Sequence, residues 1–317
     1  MTKEKRARAL GKHRRGRPID GILILDKPLL ITSNRALQTV KSLYFAAKAG
    51  HTGSLDPLAT GVLPICFGEA TKFSQYLLNA DKGYTSTFLL GVTTATGDAE
   101  GEELERKSAA LIDREKLGQC LQNFRGEIEQ VPSMYSALKH KGTPLYKLAR
   151  KGKEVERAPR RVTIHELDLV DFRPGETAEV DVIIHCSKGT YVRSIAEDLG
   201  AALGCGAHVV KLHRVKAGPF DESMAVSIET LEDLRSKEDF SEMDKLLSAS
   251  HSALGHFPLV SLDESSSFYV RQGQPVMVPN IPKQGMVRIG TESGEFLGLG
   301  EILDDGRVAP RRLIRTQ

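Results

Sequence analysis

A lone carboxylate, Asp56, stands in the Gly/Thr-rich stretch AGHTGSLDPLATG, residues 49–61, with His51 five residues before it. Water-activating hydrolases pair two acids or hold a metal, and this stretch offers neither. One ionised carboxylate is enough for a covalent or basic catalyst. Pro57 biases Asp56 toward an extended backbone, which is one way to fix the direction of its side chain. Read alone, the LDP triplet equally fits a turn or a helix cap. The glycines Gly50, Gly53 and Gly61 form neither a dinucleotide fingerprint nor a Walker loop, and Asp56 would repel an inserted anion. A second stretch, SKGTYVRSIAEDLG at 187–200, places Tyr191 and Arg193 where a strand passes into a helix. An arginine there can also pair with Glu197 or Asp198. Cys205 and His208 make half a ligand set with no second pair at ligand spacing, so no metal is predicted.

These residues need elements to position them. GILILDKP predicts a buried strand, Ile22 to Leu25, stopped by Asp26 and Pro28. SNRALQTVKSLY predicts a helix capped by Ser33 or Asn34, with Leu37, Val40 and Leu43 or Tyr44 at helical spacing. An apolar helix is expected behind the Asp56 loop, its stripe formed by Ala70, Phe73 and Leu77 and ending near Asn79. Another fits Asp113 to Phe124, with Gly126 as its stop. STFLLG, VTIHELDLV, EVDVIIHC and AHVVKLHRV read as strands, and Val180, Val182, Ile184 and Cys186 alternate onto one face. SIETLEDL predicts a helix, and LSASHSALGHFP a linker. From Leu259 onward, short runs such as MVRIG and EFLGLGEIL predict a small β domain ending in Arg307, Arg311, Arg312 and Arg315. Without a βαβ rhythm or repeats, the predicted class is α+β: a mixed, mainly antiparallel sheet flanked by helices, then a small C-terminal β domain.

A chain of 317 residues predicts two domains. The net charge of +3 is unevenly spread. Residues 1–20 hold eight Lys/Arg against Glu4 and Asp20, and residues 139–161 hold nine against Glu154 and Glu156. Clustered cations of this kind suit a polyanion, though a solubilising tail and a solvated helix face would look the same. No apolar run reaches membrane-spanning length, and no apolar signal core follows the charged N-terminus, so a cytoplasmic protein is expected. Cys66, Cys120, Cys186 and Cys205 are too scattered for a disulfide framework.

LDKP, GHTGSLDPLATGVLPICFGEATKF, PSMYSALKHKGTPLYKLAR and CSKGTYVRSIAEDLG occur in this order, and the chain from about Asp20 onward resembles the TruB family of bacterial tRNA pseudouridine synthases. The resemblance implies a pseudouridine synthase catalytic domain at 20–250, a PUA-like RNA-binding domain at 256–317 and a basic arm at 1–19 outside the match. It implies isomerisation of uridine 55 in the tRNA T loop without a cofactor, by a monomer that also contacts the acceptor end. Asp56 takes the nucleophile's place, and His51 reaches into the T loop. Tyr84 stacks on the extruded uracil and takes part in proton transfer, while Tyr191 and Leu212 line the same pocket. Arg193 faces Asp56, and Lys27 with Pro28 supports the pocket floor.

That reaction breaks the bond from ribose C1′ to uracil N1 and rejoins the base through C5, consuming nothing. A neighbouring arginine would lower the pKa of Asp56 and, in a site closed to water, keep it charged. Extruding the base costs a few kcal/mol. Stacking on Tyr84, at about 1–3 kcal/mol, offsets much of this. Ala95 stands where the family usually shows an aspartate, and Gly83 where a bulkier residue is common. The basic arm is expected to be disordered without RNA and to add phosphate affinity. The competing reading is a non-catalytic protein that binds or refolds tRNA; phosphotransfer lacks its motifs.

Overall fold

The computed structural model describes residues 16–315. Most of the basic arm, and with it the expectation of an arm ordered by RNA, lies outside those residues. Nine strands form the larger sheet: β1 (Gly21–Lys27), β2 (Ala49–His51), β3 (Ala59–Phe67), β4 (Lys82–Leu90), β5 (Gly126–Gln130), β6 (Arg160–Arg173), β7 (Ala178–Cys186), β8 (Ala207–Ala217) and β9 (Phe220–Asp221). Their order is β1-β3-β8-β4-β7-β6-β5, with β2 beside β3 and β9 beside β8. Every pairing is antiparallel except β3 with β8, where Arg214 lies opposite Gly61. Gly61 adopts φ +96°, and a Cβ there would stand 2.4 Å from the Arg214 carbonyl, so the close parallel approach requires glycine.

Seven helices accompany this sheet: α1 (Ser33–Leu43), α2 (Ser74–Asn79), α3 (Arg114–Gln122), α4 (Leu145–Ala149), α5 (Val192–Leu203), α6 (Ile228–Ser236) and α7 (Phe240–Lys245). Ala36, Leu37 and Val40 of α1 and Ile195, Ala196 and Leu199 of α5 share one core with Leu23, Leu25, Phe88, Val180, Val182 and Ile184. Burying each larger apolar side chain contributes about 1.5–3 kcal/mol. On the other face of β1, Ile22 and Ile24 pack with Val62, Phe73, Leu77 and Phe220. With both faces covered, β1 runs on through Asp26 and ends where Pro28 removes the next ladder donor.

Three expectations are corrected. The N-cap of α1 is Thr32, whose side chain accepts from Arg35 N, because the Ser33 hydroxyl is engaged elsewhere. Directly behind the Asp56 loop lies strand β3, since its unbroken apolar run is buried nearly throughout; the helical stripe begins later, as a 3-10 turn over Gly68–Phe73 leading into α2. The stretch read as a linker contains a 3-10 turn, Ser250–Leu254, whose Ala253 and Leu254 are buried.

The C-terminal sheet contains β10 (Leu259–Leu262), β11 (Val276–Met277), β12 (Gly285–Thr291), β13 (Phe296–Ile302) and β14 (Arg307–Leu313), in the order β10-β12-β13-β14-β11. Helix α8 (Glu264–Arg271) follows β10 and starts at Asp263, whose carboxylate accepts from Ser266 N. Its Ser-rich first turn hides it from a periodicity reading. Leu299 of β13 joins the core beneath β1, and the Phe73 and Phe296 rings meet edge to face at 5.6 Å.

Candidate active site

The turn carrying Asp56 is tied down on both sides. Before it, the buried Ser33 hydroxyl donates to the Leu55 carbonyl at 3.0 Å and accepts from Leu55 N at 2.7 Å. After it, the Pro57 carbonyl accepts from Leu30 N at 2.9 Å and from Lys27 Nζ at 3.5 Å. Lys27, fully buried, also donates to the Pro28 and Ile31 carbonyls, both at 2.8 Å. Its ammonium thus gathers the chain after β1 against the turn, and burial pushes it down to about 8. Pro28 enters this arrangement through its carbonyl and does not line the cleft. The Asp56 carboxylate is therefore fixed by backbone bonds on either side of it, with Pro57 restricting the backbone further.

Arg193, in the first turn of α5 and 4% exposed, reaches Asp56 at 2.9 Å and Asp98 at 3.6 Å. Its remaining donors go to the Thr96 carbonyl at 2.8 Å and the Tyr135 carbonyl at 2.9 Å. Burial raises the Asp56 carboxyl above its ordinary pKa, Arg193 opposes the rise, and Asp98 adds to it. Arg193 thus acts in the expected direction, but burial of the turn outweighs it and the net shift is upward; the site is open, with the Asp56 side chain 40% exposed toward the cleft. Asp98 was missed by sequence reasoning. It is 3% exposed, and it organises its loop by accepting from Thr96 Oγ1 at 2.5 Å and Glu100 N at 3.1 Å. That loop is well bonded with alanine at position 95, whose N–H donates to the Glu102 carbonyl at 2.9 Å.

A cleft of about 300 Å³ opens over Asp56 and Arg193, and Tyr84, Tyr191 and Leu212 also line it. This is the small end of the range for ligand pockets. Tyr84 projects from β4 and is only 9% exposed. A Cβ on the preceding Gly83 would lie 3.2 Å from Lys216 Cβ and 3.3 Å from Val215 Cγ2, so the neighbouring strand leaves a side chain there little room. Tyr191 caps α5, where its backbone exchanges two bonds with the Gln130 side chain and Arg160 stacks 5.4 Å above its ring. His51 sits on β2 outside the cleft lining, with Nδ1 buried and unpartnered and its pKa lowered by burial and by Arg214. Lys82 and Arg214 were also missed, since each reads as an ordinary strand cation; both are buried and line the cleft. Among the described residues no three His, Cys, Asp or Glu side chains form a group able to hold a metal ion.

Residues 41–192 match the TruB family pseudouridylate synthase (N terminal domain), residues 193–255 a tRNA pseudouridylate synthase B C-terminal domain, and residues 258–314 the pseudouridine synthase II TruB C-terminal domain. The chain is 58% identical over 301 residues to a tRNA pseudouridine synthase B of Stutzerimonas stutzeri, covering 95% of this chain and 97% of that protein. A tRNA pseudouridine synthase B of Coxiella burnetii (strain RSA 493) is 53% identical over 301 residues, at 95% and 96% coverage. Among solved structures, the archaeal box H/ACA sRNP Nop10-Cbf5 complex matches with a TM-score of 0.68 and 25% identity, over 92% of this chain and 85% of the other. Sequence agreement over nearly the full length, on a fold shared with far more distant proteins, admits one assignment: the chain belongs to the TruB family of pseudouridylate synthases and is an isomerase.

Proposed function

We propose that this isomerase converts uridine 55 in the T loop of tRNA to pseudouridine, with Asp56 as nucleophile and the target base flipped into the cleft. The observation that carries this reading is the Asp56 carboxylate, held 2.9 Å from Arg193 inside a base-sized cleft that Tyr84 and Tyr191 also line. Both relatives described above bear the name tRNA pseudouridine synthase B, which supports tRNA as the substrate. In this reading Tyr84 stacks on the base and handles a proton, Tyr191 and Leu212 bound the pocket, and His51 reaches into the loop. Arg193 orients Asp56, while Lys27 and Pro28 hold the floor.

The basic segment at 139–161 continues directly from the cleft rim at Ser136 and Ala137, which supports a phosphate backbone crossing there. We assign residues 20–250 to catalysis and 256–317 to binding the acceptor end, in a monomer acting in the cytoplasm. A binding protein has little use for a carboxylate aimed at a polyanion, so the non-catalytic alternative fits this cleft poorly. Asp56→Asn, assayed on a T-arm RNA, should lower turnover by on the order of 10⁴-fold or more, with RNA binding retained. Wild-type turnover in that variant would remove the nucleophile assignment.

A further inference from the structure

The cleft contains a second buried guanidinium with quite different company. Arg214 is 1% exposed and lies directly across from Tyr84 on the neighbouring strand. Its Nε donates to the Val62 carbonyl at 2.7 Å and its Nη2 to the Gly53 carbonyl at 3.1 Å. The Arg214 and Tyr84 side chains line the same cleft. Among the described residues Arg193 pairs with two carboxylates, whereas no ion pair involves Arg214. Burying a cation without a counterion is costly, and the two carbonyl oxygens that accept from it neutralise it only in part. Its field reaches the neighbours: burial depresses Lys27 and Lys82 to about 8, and Arg214 adds to the fall of both.

Structural anchoring alone does not require a full positive charge behind a tyrosine in a catalytic cleft. We propose that Arg214 is a positioning residue for the isomerisation: from directly across the strand pair it supplies the charge that lets the Tyr84 oxygen alternate between phenol and phenolate. This rests on the uridine-isomerising reading above. Written for attack of Asp56 at C1′, the proton count closes. As the C1′–N1 bond breaks, N1 leaves with the electron pair and takes the phenolic proton, so Tyr84 becomes a phenolate beside Arg214. C5 then attacks C1′ and the Asp56 carboxylate departs with its electron pair. The C5–H bond breaks, its electrons restore the ring double bond, and the proton returns to Tyr84.

The groups that act on the phenol are Arg214 from β8, Cys186 from β7 and Asp56 from its turn. Burial raises the phenol's pKa; Arg214 opposes this, while Cys186 and Asp56 raise it further. Removing the guanidinium therefore leaves less phenolate at any given pH.

Single-turnover rates on a T-arm RNA between pH 6 and 10 test the proposal. Arg214→Gln keeps amide donors but loses the charge, and should cut the neutral-pH rate about 100-fold. The fall in rate on the alkaline side, where the resting phenol ionises, should move to higher pH, with RNA affinity within about threefold of wild type. In a Tyr84→Phe background the same change should cost less than about threefold, because the partner is already gone. A wild-type rate for Arg214→Gln, or an undiminished cost in the Tyr84→Phe background, overturns the proposal. Should the Gln protein fail to fold, Arg214→Lys replaces it. Lysine lacks the planar fork and should displace the profile to higher pH; a profile superimposable on wild type overturns the proposal. Tyr84→Phe at full rate also overturns it, yet leaves the isomerase reading standing if Asp56→Asn is inactive. Failure of wild type to convert uridine sinks that reading instead.

Discussion

The cleft over Asp56 and the C-terminal sheet handle charge in opposite ways. In the cleft wall and just behind it, Arg193, Arg214, Lys27 and Asp98 are buried at 5% exposure or less, and each is bonded to carbonyls, carboxylates or a guanidinium. In the C-terminal sheet, Arg271–Glu295, Arg307–Asp305 and Arg311–Glu301 are solvent-exposed pairs. That sheet meets the rest through an apolar seam, with Leu299 in the core with Ile22, Phe296 against Phe73, and Phe257 edge to face with Tyr76 at 5.3 Å. Polar bonds join it at its edge, from Lys72 Nζ to the Leu313 carbonyl at 2.8 Å and from Arg315 N to the Glu69 carboxylate at 2.7 Å. Buried charge is costly and preorganised, which suits chemistry; the exposed pairs add little stability.

The contrast can be broken most readily at Arg193. Arg193→Met should lower turnover by on the order of 10³-fold while RNA binding persists. The pH profile gives a sharper readout. In the proposed role Asp56 must be ionised to attack, and its carboxyl lies above the ordinary value of 3.8, so the rate of the wild type should fall on the acid side at a higher pH than an ordinary aspartate would give. Arg193 is the largest influence opposing that rise, and its removal should move the acid limb to higher pH again. An acid limb that stays in place would mean the pair does not control ionisation.

At the domain junction the expected effect is on stability. Phe73→Ala removes a fully buried ring and should cost about 3–5 kcal/mol in denaturant unfolding, with the chemical step of the folded protein unchanged. A loss below about 1 kcal/mol would show that the junction is not a continuous core. Arg311→Ala should have the smallest effect: no resolvable shift in Tm, and a weaker salt dependence of RNA binding. A marked fall in Tm there would contradict the division between buried and exposed charge.

The β pattern was legible because burial alternates: Val180, Val182, Ile184 and Cys186 face the core along β7. Where both faces are covered the signal fades, which is why β3 was not read as a strand. Local rules also yield to distant partners. Ser33 is a good cap by type, yet its hydroxyl is committed to Leu55, 22 residues away, and Thr32 takes the cap. The site was legible through the motif resemblance rather than through spacing, which offered Arg193 only Glu197 or Asp198. Asp98 escaped because its contact with Arg193 spans 95 positions of chain and carries no periodic signature. Arg214 escaped because an arginine on a strand looks like solvent-facing polarity until the parallel neighbour at Gly61 encloses it.

The paired tethers flanking the Asp56 turn, Ser33 on one side and Lys27 with Leu30 on the other, leave that segment almost no freedom to surrender when RNA arrives. The yielding then falls to the nucleic acid. Under the proposed function a substrate is sorted by how cheaply it can evert one nucleotide toward an immobile acceptor, so a pliant hairpin should be preferred over a rigid helix carrying the same letters.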